Sequence, residues 1–302
     1  MSIEVSIDDF DMSQFDQLAA LFGSYFPPDD KLLSKVYVEW LYAKNPYGLA
    51  RMVKAVEGDQ WIGFMAMIPV HLVRCDARLV AYYVVNVLVH PRHHGKNIFG
   101  RMITSAKDLV TAEHAVLMGH PNDMALKSWQ RAGMHFHNSL KPCLVVPTLR
   151  AKGVRTSNVD DVKQLQPMLP TLNAQTLRAE RWSLSVTEEY INWRYLGHPT
   201  NAYRIQLLEV EGASAGFLVS RKVRPGISLL VDQFVLDRYA VDGLRQLPWC
   251  TVSFRPESSM REFSKSLWPL PLKKQIPFFA THYQQPFTAL DVSNLGLSAS
   301  DF

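Results

Sequence analysis

Val87-Leu88-Val89-His90-Pro91-Arg92-His93-His94-Gly95-Lys96-Asn97-Ile98-Phe99-Gly100 joins an apolar strand to the start of an amphipathic helix. The spacing predicts that helix over Phe99 to Glu113. Phe99, Met102, Ile103, Ala106, Leu109 and Val110 share one face, while Arg101, Thr104, Ser105, Lys107 and Asp108 face away. A helix start carries unpaired backbone N–H groups and the positive end of the dipole, and small residues there let an anion approach the backbone. Arg92, Lys96 and Arg101 add positive charge around the loop. Pro91 ends the strand and leaves backbone groups near Leu88 and Val89 free to pair with an extended, amide-bearing ligand as though it were another strand.

Upstream of this loop, Ile3 to Ile7 alternates as a strand, and Ser13 to Phe22 and Lys31 to Leu41 have helical spacing. Arg51 to Glu57, Trp61 to Val73 and Leu79 to Val89 are rich in β-branched and apolar residues and read as strands. Downstream, Ala115 to Met118 is a short buried strand, Asn122 caps a helix that runs through Ala132 and stops at Gly133, and Leu140 to Val146 closes the half as a strand. The order is that of an α/β protein with a mixed sheet.

The chain then repeats itself. Tyr37-x-x-Trp40-x-Tyr42-x-x-x-Pro46 returns 153 residues later as Tyr190-x-x-Trp193-x-Tyr195-x-x-x-Pro199, and at the same offset Gly63-Phe64 matches Gly216-Phe217. Two copies of one domain follow, 1–150 and 151–302, with the polar Lys152 to Asn158 as linker. The repeated Tyr and Trp residues are expected in the core. The second copy carries a helix at Val159 to Leu169 and strands at Tyr203 to Glu209, Ala215 to Arg221 and Ser228 to Val235. It continues with a helix at Val241 to Leu247, a strand at Thr251 to Phe254 and a helix at Met260 to Leu267.

With 302 residues, 47% of them hydrophobic, the chain can bury sizeable cores. Its longest apolar stretches fall far short of a membrane span, and the acidic, alternating N-terminus is unlike a signal peptide, so a cytoplasmic location is expected. Cys75, Cys143 and Cys250 lie too far apart for a disulfide framework or a zinc site, and no metal is expected. The net charge of +4 is spread out and does not indicate nucleic acid.

The strand, the Val-x-Pro and the loop together resemble motif A of the GNAT acyltransferases, which runs Gln/Arg-x-x-Gly-x-Gly/Ala. His94, Asn97 and Phe99 stand at the three named positions and depart from them, while Gly95-Lys96 and Ile98 follow the usual wording. Met118-Gly119-His120-Pro121-Asn122 through Trp129-Gln130-Arg131-Ala132-Gly133-Met134 is similar to the family's second segment, where an aromatic residue, often a Tyr acting as general acid, precedes Gly-Phe. Here that residue is Trp129, which has no acidic proton to give, so packing is its expected role.

The resemblance implies two GNAT-like domains, each a twisted mixed sheet flanked by helices, with the second lacking a cofactor site of its own. It implies acetyl-CoA as acyl donor, held by Val87, Leu88, Val89, His94, Gly95, Lys96, Asn97, Ile98, Phe99, Gly100, Asn122 and Trp129. The acceptor would be a small amine in the cleft between the halves, and no covalent enzyme intermediate is expected. Trp193-Arg194-Tyr195-Leu196-Gly197-His198-Pro199 resembles tandem bacterial proteins associated with surface-polysaccharide synthesis and suggests an amino sugar. For acid–base work the candidates are His90, His120, Asn86 and Tyr83. Two rival readings are a non-catalytic acyl-CoA-binding protein and an aminoacyl-tRNA-dependent peptidyl transferase. The oligomeric state stays open.

Overall fold

The structure, a computed structural model, describes residues 2–75, 77–136, 140–145, 153–178, 182–248, 250–256, 267–269, 276–283 and 285–287. In chain order the first part runs β1 (Ile3–Asp9), α1 (Phe15–Gly23), α2 (Lys35–Tyr42), β2 (Arg51–Glu57), β3 (Gln60–Arg74), β4 (Ala77–Val89), α3 (Ile98–Ala112), β5 (Val116–Gly119), α4 (Asp123–Arg131) and β6 (Leu140–Val145). The second runs β7 (Val154–Val159), α5 (Leu169–Arg178), β8 (Ser183–Leu184), α6 (Glu188–Ile191), β9 (Arg204–Val210), β10 (Ala213–Arg224), β11 (Ile227–Val235), α7 (Ala240–Leu244), β12 (Thr251–Pro256), β13 (Leu267–Pro269), β14 (Phe279–His282) and β15 (Gln285–Pro286).

Two mixed sheets result. One has the order β1-β2-β3-β4-β5-β14-β15, with β8 also on β3, and the other β13-β6-β12-β11-β10-β9-β7. Among the described residues each has one parallel pair at the corresponding place, β4 with β5 and β11 with β12, among antiparallel neighbours. Strand alternation divides β3 between two cores. Met65 and Met67 pack with Met102, Ile103 and Ala106 of α3. Phe64, Ala66 and Ile68 join a larger core with α1, α2 and the aromatic residues of the second half.

The two sheets exchange their last strands. β6, expected to close the first half, pairs antiparallel with β12 in the second sheet, and β14, from near the C-terminus, pairs antiparallel with β5 in the first. The residues expected as a linker also differ: Val154–Val159 is an edge strand paired with β9. Its exposed middle leaves no apolar alternation to read, as is common for edges. The helix expected at Lys31 to Leu41 is broken at Ser34, whose extended backbone separates a 3-10 turn at Lys31–Leu33, capped by the Asp30 side chain, from α2. The helix expected at Val159 to Leu169 is a 3-10 turn at Val162–Leu165. Pro167 has no N–H to continue that turn, and Pro170 suits the first turn of α5. Most of the helix expected at Met260 to Leu267 lies outside the described residues, and Leu267 itself starts β13.

The repeated segments meet at a pseudo-twofold axis. The rings of Trp40 and Trp193 stack with centroids 5.3 Å apart. Each indole N–H donates to the other's backbone carbonyl at 2.8 Å. His198 lies on Trp40 at 4.2 Å, and Tyr37, Tyr42, Tyr190, Tyr195 and Arg194 are all buried here. These repeated aromatics are core, as expected.

Candidate functional site

β4 and β5 pair in parallel from Ala81↔Val116 to Val84↔Gly119 and then separate. The separation coincides with a bulge in β4, where its register against β3 shifts between Phe64↔Leu88 and Ala66↔Val85 and Asn86 adopts a φ of 51°. The bulge is held by Asn86 Nδ2, which donates to the Tyr42 hydroxyl at 2.7 Å. Burial raises the pKa of that Tyr42 hydroxyl well above the usual phenol range. The opening is a cleft of about 260 Å³. Its walls are Tyr83, Val84, Val85, Asn86, Val87 and Leu88 of β4, Gly119 of β5, the following His120-Pro121-Asn122, Ala125 and Trp129 of α4, Phe26 from the loop after α1, and Phe279 of β14.

Of the four expected acid–base candidates, Tyr83, Asn86 and His120 line this cleft and His90 does not. His90 directly follows the last residue of β4, just beyond the cleft, where its amide donates to Ile62 O and its Nδ1 accepts from Arg92 N. Its pKa is lowered, by desolvation first and then by His93, Arg92 and His94. His120 is held differently. Its Nδ1 lies 3.1 Å from the carbonyl of Pro277, and its Nε2 is buried with no hydrogen-bond partner. Desolvation pushes its pKa down to about 4, so the ring is neutral at neutral pH. Trp129 is buried between Phe99, edge-on at 5.4 Å, and Phe279 at 4.6 Å, which makes it packing at the cleft floor. Asn122 caps α4 by accepting from Ala125 N at 2.9 Å.

The loop after β4 turns through Pro91–His93, takes a φ of 84° at Gly95 and 56° at Asn97, and enters α3 at Ile98. A Cβ on Gly95 would touch nothing within 4 Å. One on Gly100 would lie 2.4 Å from Asn97 Oδ1, so the Asn97 side chain needs a glycine beneath it. Ile98 and Phe99 point into the core that contains α3. What they offer an anion is their backbone amides in the first helical turn. Arg101 is turned away and donates to Ile3 O at 2.9 Å, and Lys96 is 3.3 Å from His93 Nδ1 and 3.9 Å from Glu57.

The Val89 carbonyl, expected free, is capped: Tyr25 Oη donates to it at 2.6 Å and His94 Nε2 at 2.8 Å. A carbonyl left without a strand neighbour by the splay takes side-chain donors instead. Sequence reasoning missed Tyr25 and Phe26, which sit in a turn with no motif, and Phe278 and Phe279, which arrive from the distant C-terminal segment.

Residues 6–127 match the family signature described as an acetyltransferase (GNAT) domain. These residues form a GNAT acetyltransferase domain. The family so described is one of acetyltransferases. By sequence, no curated protein matches. Among solved structures, the chain is similar to a probable N-acyltransferase from Enterococcus faecalis at 9% identity and TM-score 0.70, covering 93% of this chain and 73% of that one. A GCN5-related N-acetyltransferase from Anabaena variabilis gives 13% identity and TM-score 0.66 with the same coverage. A tandem GNAT protein from the clavulanic acid biosynthesis pathway gives 13% identity and TM-score 0.56, with 94% of this chain and 100% of that one covered. The tandem arrangement is thus a known fold for two GNAT-like sheets.

In the second sheet the place equivalent to the GNAT cleft is closed. β11 and β12 pair from Ser228↔Thr251 to Leu230↔Ser253 and then separate. Buried Arg255 spans the gap, donating to Gln233 Oε1 at 2.5 Å and to Ser253 Oγ at 3.1 Å. Asp232 stands where the GNAT domain has Asn86, and it accepts from Tyr195 Oη at 2.6 Å as the counterpart of the Asn86–Tyr42 pair. The segment Trp193 to Pro199, which carried the likeness to surface-polysaccharide proteins, packs in the seam, and nothing in that placement supports such a link. Among the described residues no group of three or more His, Cys, Asp or Glu is arranged to hold a metal, and no helix is long and apolar enough to cross a membrane.

Proposed function

We propose that the chain is an N-acyltransferase that takes acetyl-CoA as donor and a small primary amine as acceptor, by direct transfer. Its two GNAT-like domains divide near residue 150, 1–150 and 151–302, apart from the exchanged strands β6 and β14, and only the first binds the donor. The observation that carries this reading is the junction of two features: the cleft where β4 leaves β5, and the glycine-containing loop whose helix start faces the same end of β4. The amides of Gly95 to Gly100 suit a pyrophosphate, and the backbone of Val87 and Leu88 suits the extended pantetheine arm. Val89 and His94 would serve once the Tyr25–His94 cap on the Val89 carbonyl opens. Ile98, Phe99, Asn122 and Trp129 shape the site through their packing and capping.

Direct transfer needs a proton taken from the attacking amine, a polarised carbonyl and a proton for the departing thiolate. Tyr83, Asn86 and His120 are the polar groups on the cleft wall placed for these tasks. A thiol-release assay with acetyl-CoA against aliphatic amines, aromatic amines and amino sugars tests the reading. Release that depends on one class of amine is the expected result. Intact acetyl-CoA binding with no release for any amine would replace this reading by acyl-CoA binding without turnover.

A further inference from the structure

We infer that His120 Nε2 is the atom that relays the acceptor's proton, and that the carbonyl of Pro277, carried in by the exchanged C-terminal segment, is the group that holds it ready. This rests on the acyltransferase reading of the cleft. A backbone carbonyl only accepts hydrogen bonds, so the 3.1 Å contact requires the proton of the neutral ring to be on Nδ1. Nε2 is then a bare lone pair. It is buried, it has no partner, and the ring to which it belongs lines the cleft. A buried acceptor without a donor is destabilising, and a substrate N–H would relieve that. The groups that face the ring are Tyr83 of β4, edge-on at 6.0 Å, and Phe278 of the C-terminal segment at 4.8 Å. The contacts that fix its orientation come from both halves of the chain.

The step balances without another residue. The nitrogen of the neutral amine attacks the thioester carbonyl carbon, the C–N bond forms, and the N–H proton passes to His120 Nε2. The C–S bond breaks, and the same proton passes from the imidazolium to the departing thiolate, giving amide, CoA thiol and neutral His120. Burial suits the ring to the second half of this relay, because an imidazolium formed in the cleft is a far stronger acid than a thiol of pKa about 8.5.

Two measurements test it. In protein labelled with ¹⁵N in its histidine rings, with the His120 signals assigned by their loss in His120→Gln, the expected form at pH 7 is neutral with hydrogen on Nδ1. A hydrogen on Nε2 would overturn the inference whatever the activity. In thiol release with acetyl-CoA and the best amine of the panel, His120→Gln and His120→Ala should lower kcat by about 10²-fold or more, with acetyl-CoA affinity unchanged. Variants that bind acetyl-CoA and keep wild-type kcat would overturn it, while the acyltransferase reading would stand. Wild-type protein that transfers to no amine would overturn both.

Discussion

Asn97 holds a left-handed backbone, φ 56° and ψ 23°, at the residue before α3, and its side chain covers Gly100. Asparagine tolerates that region better than most residues, which is why the loop closes where the family pattern has glycine. Asn97→Val should lower stability by about 1–2 kcal/mol and Asn97→Gly should not, as read from urea unfolding. His120 gives a prediction in pH. Its folded pKa, about 4, lies below the unfolded value near 6.5, so the unfolded chain gains a proton first as pH falls. The stability tied to the neutral ring is therefore fully present above pH 6.5 and is lost between about 6.5 and 4. Unfolding at pH 5 should be easier than at pH 7 by about 2 kcal/mol from this ring, and His120→Gln should remove that part of the difference. That His120 stands at the cleft was legible, because it follows the short strand beside the loop. Its partner was not, because Pro277 lies 157 residues away and offers only a carbonyl.

At the scale of elements, most strands and helices of the first half were readable, because alternation and helical periodicity are local properties. Arg51–Glu57 and the amphipathic α3 fall where the pattern puts them. Strand partners were not readable. β6 and β14 are short runs whose own pattern names no partner, and each pairs in the other half's sheet. The absence of a loop motif in the second half was visible, but the physical closure was not: Arg255 and Gln233 are far apart in sequence and meet only across the splay of β11 and β12. One molecule of acetyl-CoA per chain should bind, measured as titration stoichiometry, and two would contradict the closed second cleft. Arg255→Ala should cost about 1–3 kcal/mol in unfolding free energy, because it strips buried Gln233 of a charged donor.

Over the whole molecule, the 153-residue repeat was the most informative long-range signal, and it marks the contact where the halves meet. Trp40→Ala and Trp193→Ala should each cost about 3–5 kcal/mol. Because the two rings stack and exchange hydrogen bonds, the double variant should fall short of additivity by about 0.5–3 kcal/mol. The exchanged strands and the shared aromatic core also tie the sheets together, so fluorescence and far-ultraviolet dichroism should report one coincident unfolding transition. Two separated transitions would contradict that coupling. The central claim, that the loop before α3 and the adjoining cleft bind an acyl-CoA, is tested most directly by calorimetric titration of acetyl-CoA into wild-type, Gly95→Ala and Gly95→Asp protein. The space around Gly95 is open and its φ is 84°, so both variants carry the same backbone strain of about 1–2 kcal/mol, and only the aspartate sets a negative charge against the pyrophosphate. The account predicts micromolar binding, about −8 kcal/mol, for wild type, retention in Gly95→Ala and loss in Gly95→Asp. Normal binding by Gly95→Asp, or none by wild type, would contradict it.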